Sequence, residues 1–126
     1  MSILEVIKDI INVSAIPVYA IEFPLDADGL LIEESNITSL EDIDGLTGTV
    51  SSTIQLFVQY PKKAGTYKML TELINESYEK VYNAQNTVVS GIYIERVGMK
   101  NMTSFTIKEG KKYIVSMIFT IRYKFN

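Results

Sequence analysis

The stretch that most constrains how this chain can fold is residues 113–125. Every second residue there, Tyr113, Val115, Met117, Phe119, Ile121, Tyr123 and Phe125, is apolar or aromatic. The residues between them, Ile114, Ser116, Ile118, Thr120, Arg122 and Lys124, turn polar toward the end. Successive side chains of a strand point to opposite faces, so this is a long strand with one wholly apolar face. Such a face has to be covered, and a helix is the natural cover. The strand is therefore the expected floor of the core.

A second amphipathic element supplies the cover. Leu70, Leu73, Ile74, Ser77, Tyr78 and Val81 recur at helical spacing within residues 66–83, with Lys68, Glu72, Glu76, Glu79 and Lys80 on the wet side. Thr66 is the expected N-cap. Near the start, Ser2 and Glu5 fit a capping box, and Ile3, Val6, Ile7, Ile10 and Val13 continue the apolar stripe of a first helix, over about residues 2–12. Pro17 ends it. Residues 16–23, between two prolines, read as a short strand suited to a sheet edge, because proline cannot donate to a ladder. Residues 49–60 and 86–97 read as long strands, with Gly91 marking a bulge or a close backbone approach. Residues 104–108 read as a short strand, and Glu109, Gly110 and Lys111 as a hairpin turn into the last one.

Residues 24–48 break this regularity. They carry Asp26, Asp28, Glu33, Glu34, Glu41, Asp42 and Asp44 among glycines and serines, and are expected to form an acidic irregular segment, with Leu30-Leu31-Ile32 as a short strand and Ser39-Leu40-Glu41-Asp42 opening a single helical turn within it. The expected order is α-β-loop-β-α-β-β-β. The expected fold is a single α+β domain over residues 1–126, a mostly antiparallel sheet with two helices packed on one face.

Composition narrows the chemistry. The 126 residues contain no cysteine and no histidine. Disulfides and cysteine–zinc sites are excluded, and the commonest general base and metal ligand are missing. No phosphate-loop, dinucleotide or nucleophile-elbow motif is present. The two Asp-x-Asp-Gly clusters fail the calcium-loop register, because position 12 falls on Ser35 and Ser51 instead of Glu. No catalytic, cofactor-binding or metal-binding residue is expected, and no enzyme activity. The apolar start lacks a basic leader region, and no stretch is long enough to span a membrane, so neither secretion nor membrane association is expected.

The net charge of −3 conceals a split. Residues 1–48 hold ten of the fifteen acids and one base, Lys8, a balance of −9; residues 49–126 balance at +6. Acids of one copy facing bases of the next would give register and specificity to self-association. The candidate subunit interface is accordingly Glu33, Glu34, Glu41, Asp42 and Asp44 on one side and Arg122, Tyr123, Lys124 and Phe125 on the other. The acidic balance disfavours specific nucleic-acid binding. A small peptide- or ligand-binding module, with the helix–sheet seam as its pocket, is the alternative from the residues.

Certain phrases carry a resemblance. A short N-terminal helix runs into Ile16-Pro17-Val18-Tyr19 and closes at Phe23-Pro24; the strand Ser52-Thr53-Ile54-Gln55-Leu56-Phe57-Val58-Gln59 follows. A Tyr-containing helix then starts near Tyr67, Gly91-Ile92-Tyr93-Ile94 comes next, and the chain ends on a long aromatic strand. In layout this resembles the minor capsid and tail-terminator (tail-completion) proteins of long-tailed bacteriophages. The acidic segment 24–48 departs from that layout. The resemblance implies a structural virion protein that forms a ring, typically a hexamer. Such a ring caps the tail tube and joins it to the head. Its partners are itself, the tail tube protein and the head-completion protein. Assembly takes place in the host bacterial cytoplasm.

Overall fold

The computed structural model describes residues 2–12, 16–20, 28–42, 45–108 and 111–125. In chain order the elements are α1 (Ile3–Ile11), β1 (Val18–Tyr19), β2 (Gly29–Asp42), β3 (Gly45–Pro61), α2 (Thr66–Asn83), β4 (Thr87–Val89), β5 (Ile92–Val97), β6 (Asn101–Lys108) and β7 (Lys112–Phe125). The protein is α+β: the described residues form two helices and one seven-stranded sheet.

The last strand is the spine of the sheet. One edge of β7 pairs antiparallel with β3 without a break, from Lys112 with Pro61 to Lys124 with Thr49. Its other edge is shared. β5 takes the end from Ile121 to Phe125, and β6 takes the start from Lys112 to Ile118. Gly98 lies at the junction, donating its N–H to the Thr120 carbonyl at 2.8 Å. A Cβ at residue 98 would run into Thr120 Oγ1, so a side chain there would require the Thr120 hydroxyl to rotate away.

The apolar face of β7 is the core face, as its alternation requires. Val115, Met117, Phe119, Ile121 and Tyr123 are all buried. They join Ile54, Leu56 and Val58 of β3, Leu30 and Ile32 of β2, and Ile92 and Ile94 of β5 in a single hydrophobic cluster. The same cluster contains Ile3, Val6, Ile7 and Ile11 of α1 and Leu70, Ile74, Tyr78 and Val81 of α2.

Local chemistry fixes the helix ends. Ser2 caps α1, its Oγ accepting from the Glu5 N–H at 3.3 Å. Asn12 closes it in the left-handed conformation, φ 44°. Lys80 of α2 donates to the Ile11 carbonyl at 2.8 Å, tying an end of one helix to the side of the other. α2 covers the expected span, but its cap differs. Gly65 occupies the N-cap with φ 81° and no side-chain bond, and Thr66 is the first helical residue.

Three further expectations are corrected. The acidic segment expected to be irregular over 24–48 is mostly strand: β2 pairs with β3 from Gly29 with Gln59 to Asp42 with Gly45. Its middle shows no apolar alternation, which hid it. It is held by backbone pairing to β3, through two irregularities, between Ser35 and Thr38 and between Ser39 and Glu41. The strand expected over 16–23 is described only at Val18–Tyr19, parallel to β2 and at the sheet edge, with residues 21–23 outside the described ones. The single strand expected over 86–97 is two, β4 and β5. Ser90 and Gly91 both take positive φ, 49° and 82°, which is the two-residue hairpin turn that matches strand twist.

Candidate functional site

The hairpin of β2 and β3 is longer than the rest of the sheet. The last pair of β3 with β7 is Thr49 with Lys124, and β3 continues beyond it through residues 45–48. There, among the described residues, its one strand neighbour is β2, through the pairs Glu41 with Leu46 and Asp42 with Gly45. The result is a two-stranded arm projecting past the core. Its end carries Glu41 and Asp42, described here as backbone; Asp44 lies outside the described residues.

The opposite end of the same sheet is basic in sequence. Lys112 pairs with Pro61, Lys108 pairs with Lys112, and the Lys62 N–H donates to the Lys111 carbonyl at 2.9 Å. Lys62, Lys63 and Lys111 are exposed. Lys112 is neutralised by Asp28 at 2.8 Å. Along the strands, Glu41 and Asp42 therefore lie at the arm and Lys62, Lys63, Lys108, Lys111 and Lys112 at the far end, where Asp28 also lies.

The structure sorts the nine candidate interface residues. Glu33 is exposed. Glu34 is not free to meet a neighbour: Tyr123 donates its hydroxyl to Glu34 Oε2 at 2.6 Å. Tyr123 itself is only 3% exposed, so it belongs to the core. Burial and then the Glu34 bond push its hydroxyl pKa well above the ordinary 10.0. Lys124 and Phe125 are exposed; Phe125 is 55% exposed and packs edge-on against Tyr123 at 5.7 Å. The Lys124 stem lies beside Gly48, at the base of the arm. Arg122, half-buried, contacts Glu95 at 3.6 Å.

One participant escapes sequence reading. Arg96 is the register partner of Arg122, across a β5 irregularity that leaves Glu95 out of the ladder. The two arginines line an open cleft of about 230 Å³ with Ser51, Gly98, Thr120 and Ile121. The signal in the sequence is an arginine near the end of each strand, Arg96 in β5 and Arg122 in β7. The irregularity that brings them opposite each other leaves no mark in the residue pattern.

No known protein family matches the chain, and no curated protein matches it. Among the described residues, no three acidic side chains gather into a metal-sized group, and no helix is long and apolar enough to cross a membrane.

Proposed function

We propose that this protein is a structural subunit of a phage-type virion: a tail-terminator or tail-completion protein that forms a ring, caps the tail tube and joins it to the head. The single observation that carries the reading is the projecting acidic arm on a sheet whose outer strands have, among the described residues, stretches with no strand beside them. β1 pairs only with Leu30 and Leu31, so among the described residues no strand pairs with the outer edge of β2 over residues 32–39. On the other side, among the described residues, β4 pairs with β5 alone and β6 with β7 alone. Edges of this kind invite strand addition. The two edges differ in charge, so contact between them is head-to-tail, and a head-to-tail contact closes into a ring when the rotation permits. With both helices on one face, the arm and the other face of the sheet are left for partners.

The ligand-binding alternative would place its pocket in the helix–sheet seam. That seam is filled by Ile7, Leu30, Leu70 and Ile74, each 0% exposed, which favours assembly over ligand capture.

A tube-capping assay tests the function. Purified protein added to polymerising tail tube protein is expected to arrest tube growth at one end and to remain bound there, seen as extra density at a single tube terminus by electron microscopy. Tubes that elongate unaffected and carry no added density would contradict it.

A further inference from the structure

We propose that the cleft at the junction of β5 and β6 is a carboxylate seat, and that its occupant is the acidic β2–β3 arm of a second copy of this chain. This rests on the ring reading and names the contact that would build the ring.

The cleft breaks a local rule. Arg96 and Arg122 stand directly opposite each other in an antiparallel pair, and like charges so placed repel. Glu95 relieves this only in part. It sits 3.6 Å from Arg122, and both side chains are about two-fifths exposed, 40% for Glu95 and 43% for Arg122, so solvent weakens the pair. Arg96 is exposed and has no carboxylate partner among the described residues. Two guanidinium groups and one carboxylate leave a net positive charge. Ser51 and Thr120 add hydroxyl donors at the same opening. Guanidinium groups bind carboxylates through paired charge-assisted hydrogen bonds, so an incoming carboxylate would turn the repulsion into a clamp.

The chain cannot fill this seat with its own arm. Glu41 pairs with Leu46, whereas Arg122 pairs with Ser51, five positions further along β3. That separation is about 17 Å at strand spacing, beyond the reach of a glutamate side chain. A second copy has no such restriction. Its arm projects past the sheet, it ends in Glu41 and Asp42, and it belongs to the half of the chain that balances at −9. The cleft belongs to the half that balances at +6. A phosphate would suit the arginines as well. The carboxylate is preferred because the complementary acids stand on the chain's own projecting element.

Two variants test the seat. Arg96→Glu reverses the cleft at an exposed position and leaves the Arg122–Glu95 contact in place. The double change Glu41→Lys with Asp42→Lys reverses the arm. Each alone is expected to weaken association at least tenfold by light scattering at low salt, with an unchanged circular dichroism spectrum. Mixed in equal amounts, they are expected to recover assembly, because each arm then meets a cleft of opposite charge. Wild-type assembly with variants that associate equally well would overturn the seat and leave the ring standing. Weakened but folded variants that fail to recover on mixing would also overturn it. A wild-type protein that never assembles, alone or on tail tubes, would overturn the ring and the seat together. Titration with a short single-stranded DNA separates the sources: binding lost in Arg96→Glu, with assembly intact, would make the seat one for phosphate and refute the carboxylate.

Discussion

Phe119 shows how much of the core rests on single side chains. It is 2% exposed and meets the Tyr78 ring edge-on at 5.3 Å, so β7 and α2 touch through it. Phe119→Ala is expected to lower unfolding free energy by about 3–5 kcal/mol, measured by denaturant titration. A loss below about 1 kcal/mol would mean the cavity collapses or the face is not the core. Tyr123 carries a pH signature. Its hydroxyl pKa is raised above the ordinary 10.0, first by burial and then by the bond to Glu34. A raised folded pKa means the native state holds that proton more tightly, so its contribution is complete below the unfolded value and is lost as pH climbs past it. Tm is therefore expected to fall above about pH 10, and Tyr123→Phe to flatten that fall. Part of the slope will remain, because Tyr78 is also raised, mainly by burial. An identical pH profile in the variant would count against a buried hydroxyl at residue 123.

At the scale of elements, what the sequence made legible follows from where periodicity exists. Both helices and the two long strands β3 and β7 have one dry side and one wet side, and their patterns show it. β2 does not, because beyond Ile32 it approaches and then enters an arm with little core beneath it. Glu33, Ser35, Asn36, Ile37, Thr38 and Ser39 are all exposed, so no residue there had to be apolar. Its strand character comes from β3, a partner distant in pattern though adjacent in chain. The same reason hid the Arg96–Arg122 pairing, which depends on an irregularity in β5 and not on residue type. Gly29 is the element-scale test of how β2 begins. Its φ is 151°, and a Cβ there would lie 2.6 Å from the Pro17 carbonyl oxygen. Gly29→Ala is expected to destabilise by about 1–3 kcal/mol and to free β1 from β2. Hydrogen exchange at the Leu30 N–H, which donates to Pro17 O at 2.9 Å, reads this directly. Protection at Leu30 equal to wild type would contradict the close approach.

At the scale of the whole molecule, the acids of the arm and the lysines around Lys112 lie toward opposite ends of the sheet. Acids end the arm, lysines end the opposite side of the sheet, and the arginine cleft lies between them on β5 and β7. Replacing Glu33, Glu41, Asp42 and Asp44 with Ser or Asn is expected to weaken self-association. The effect should be largest at low salt and shrink as screening shortens to a few ångströms near molar salt. Glu34 is left out of that set because its work is inside the chain, on Tyr123. Association that is insensitive to both the substitutions and salt would mean that charge does not guide it. The central claim, a closed ring built by one repeated head-to-tail contact, is tested most directly by the mass of the assembly in solution and on the tube. Native mass spectrometry, alone and with tail tube protein, is expected to show a single closed species at about six times the 14.2 kDa subunit. A 14.2 kDa monomer under both conditions, or an open ladder of ever-larger species, would contradict the ring.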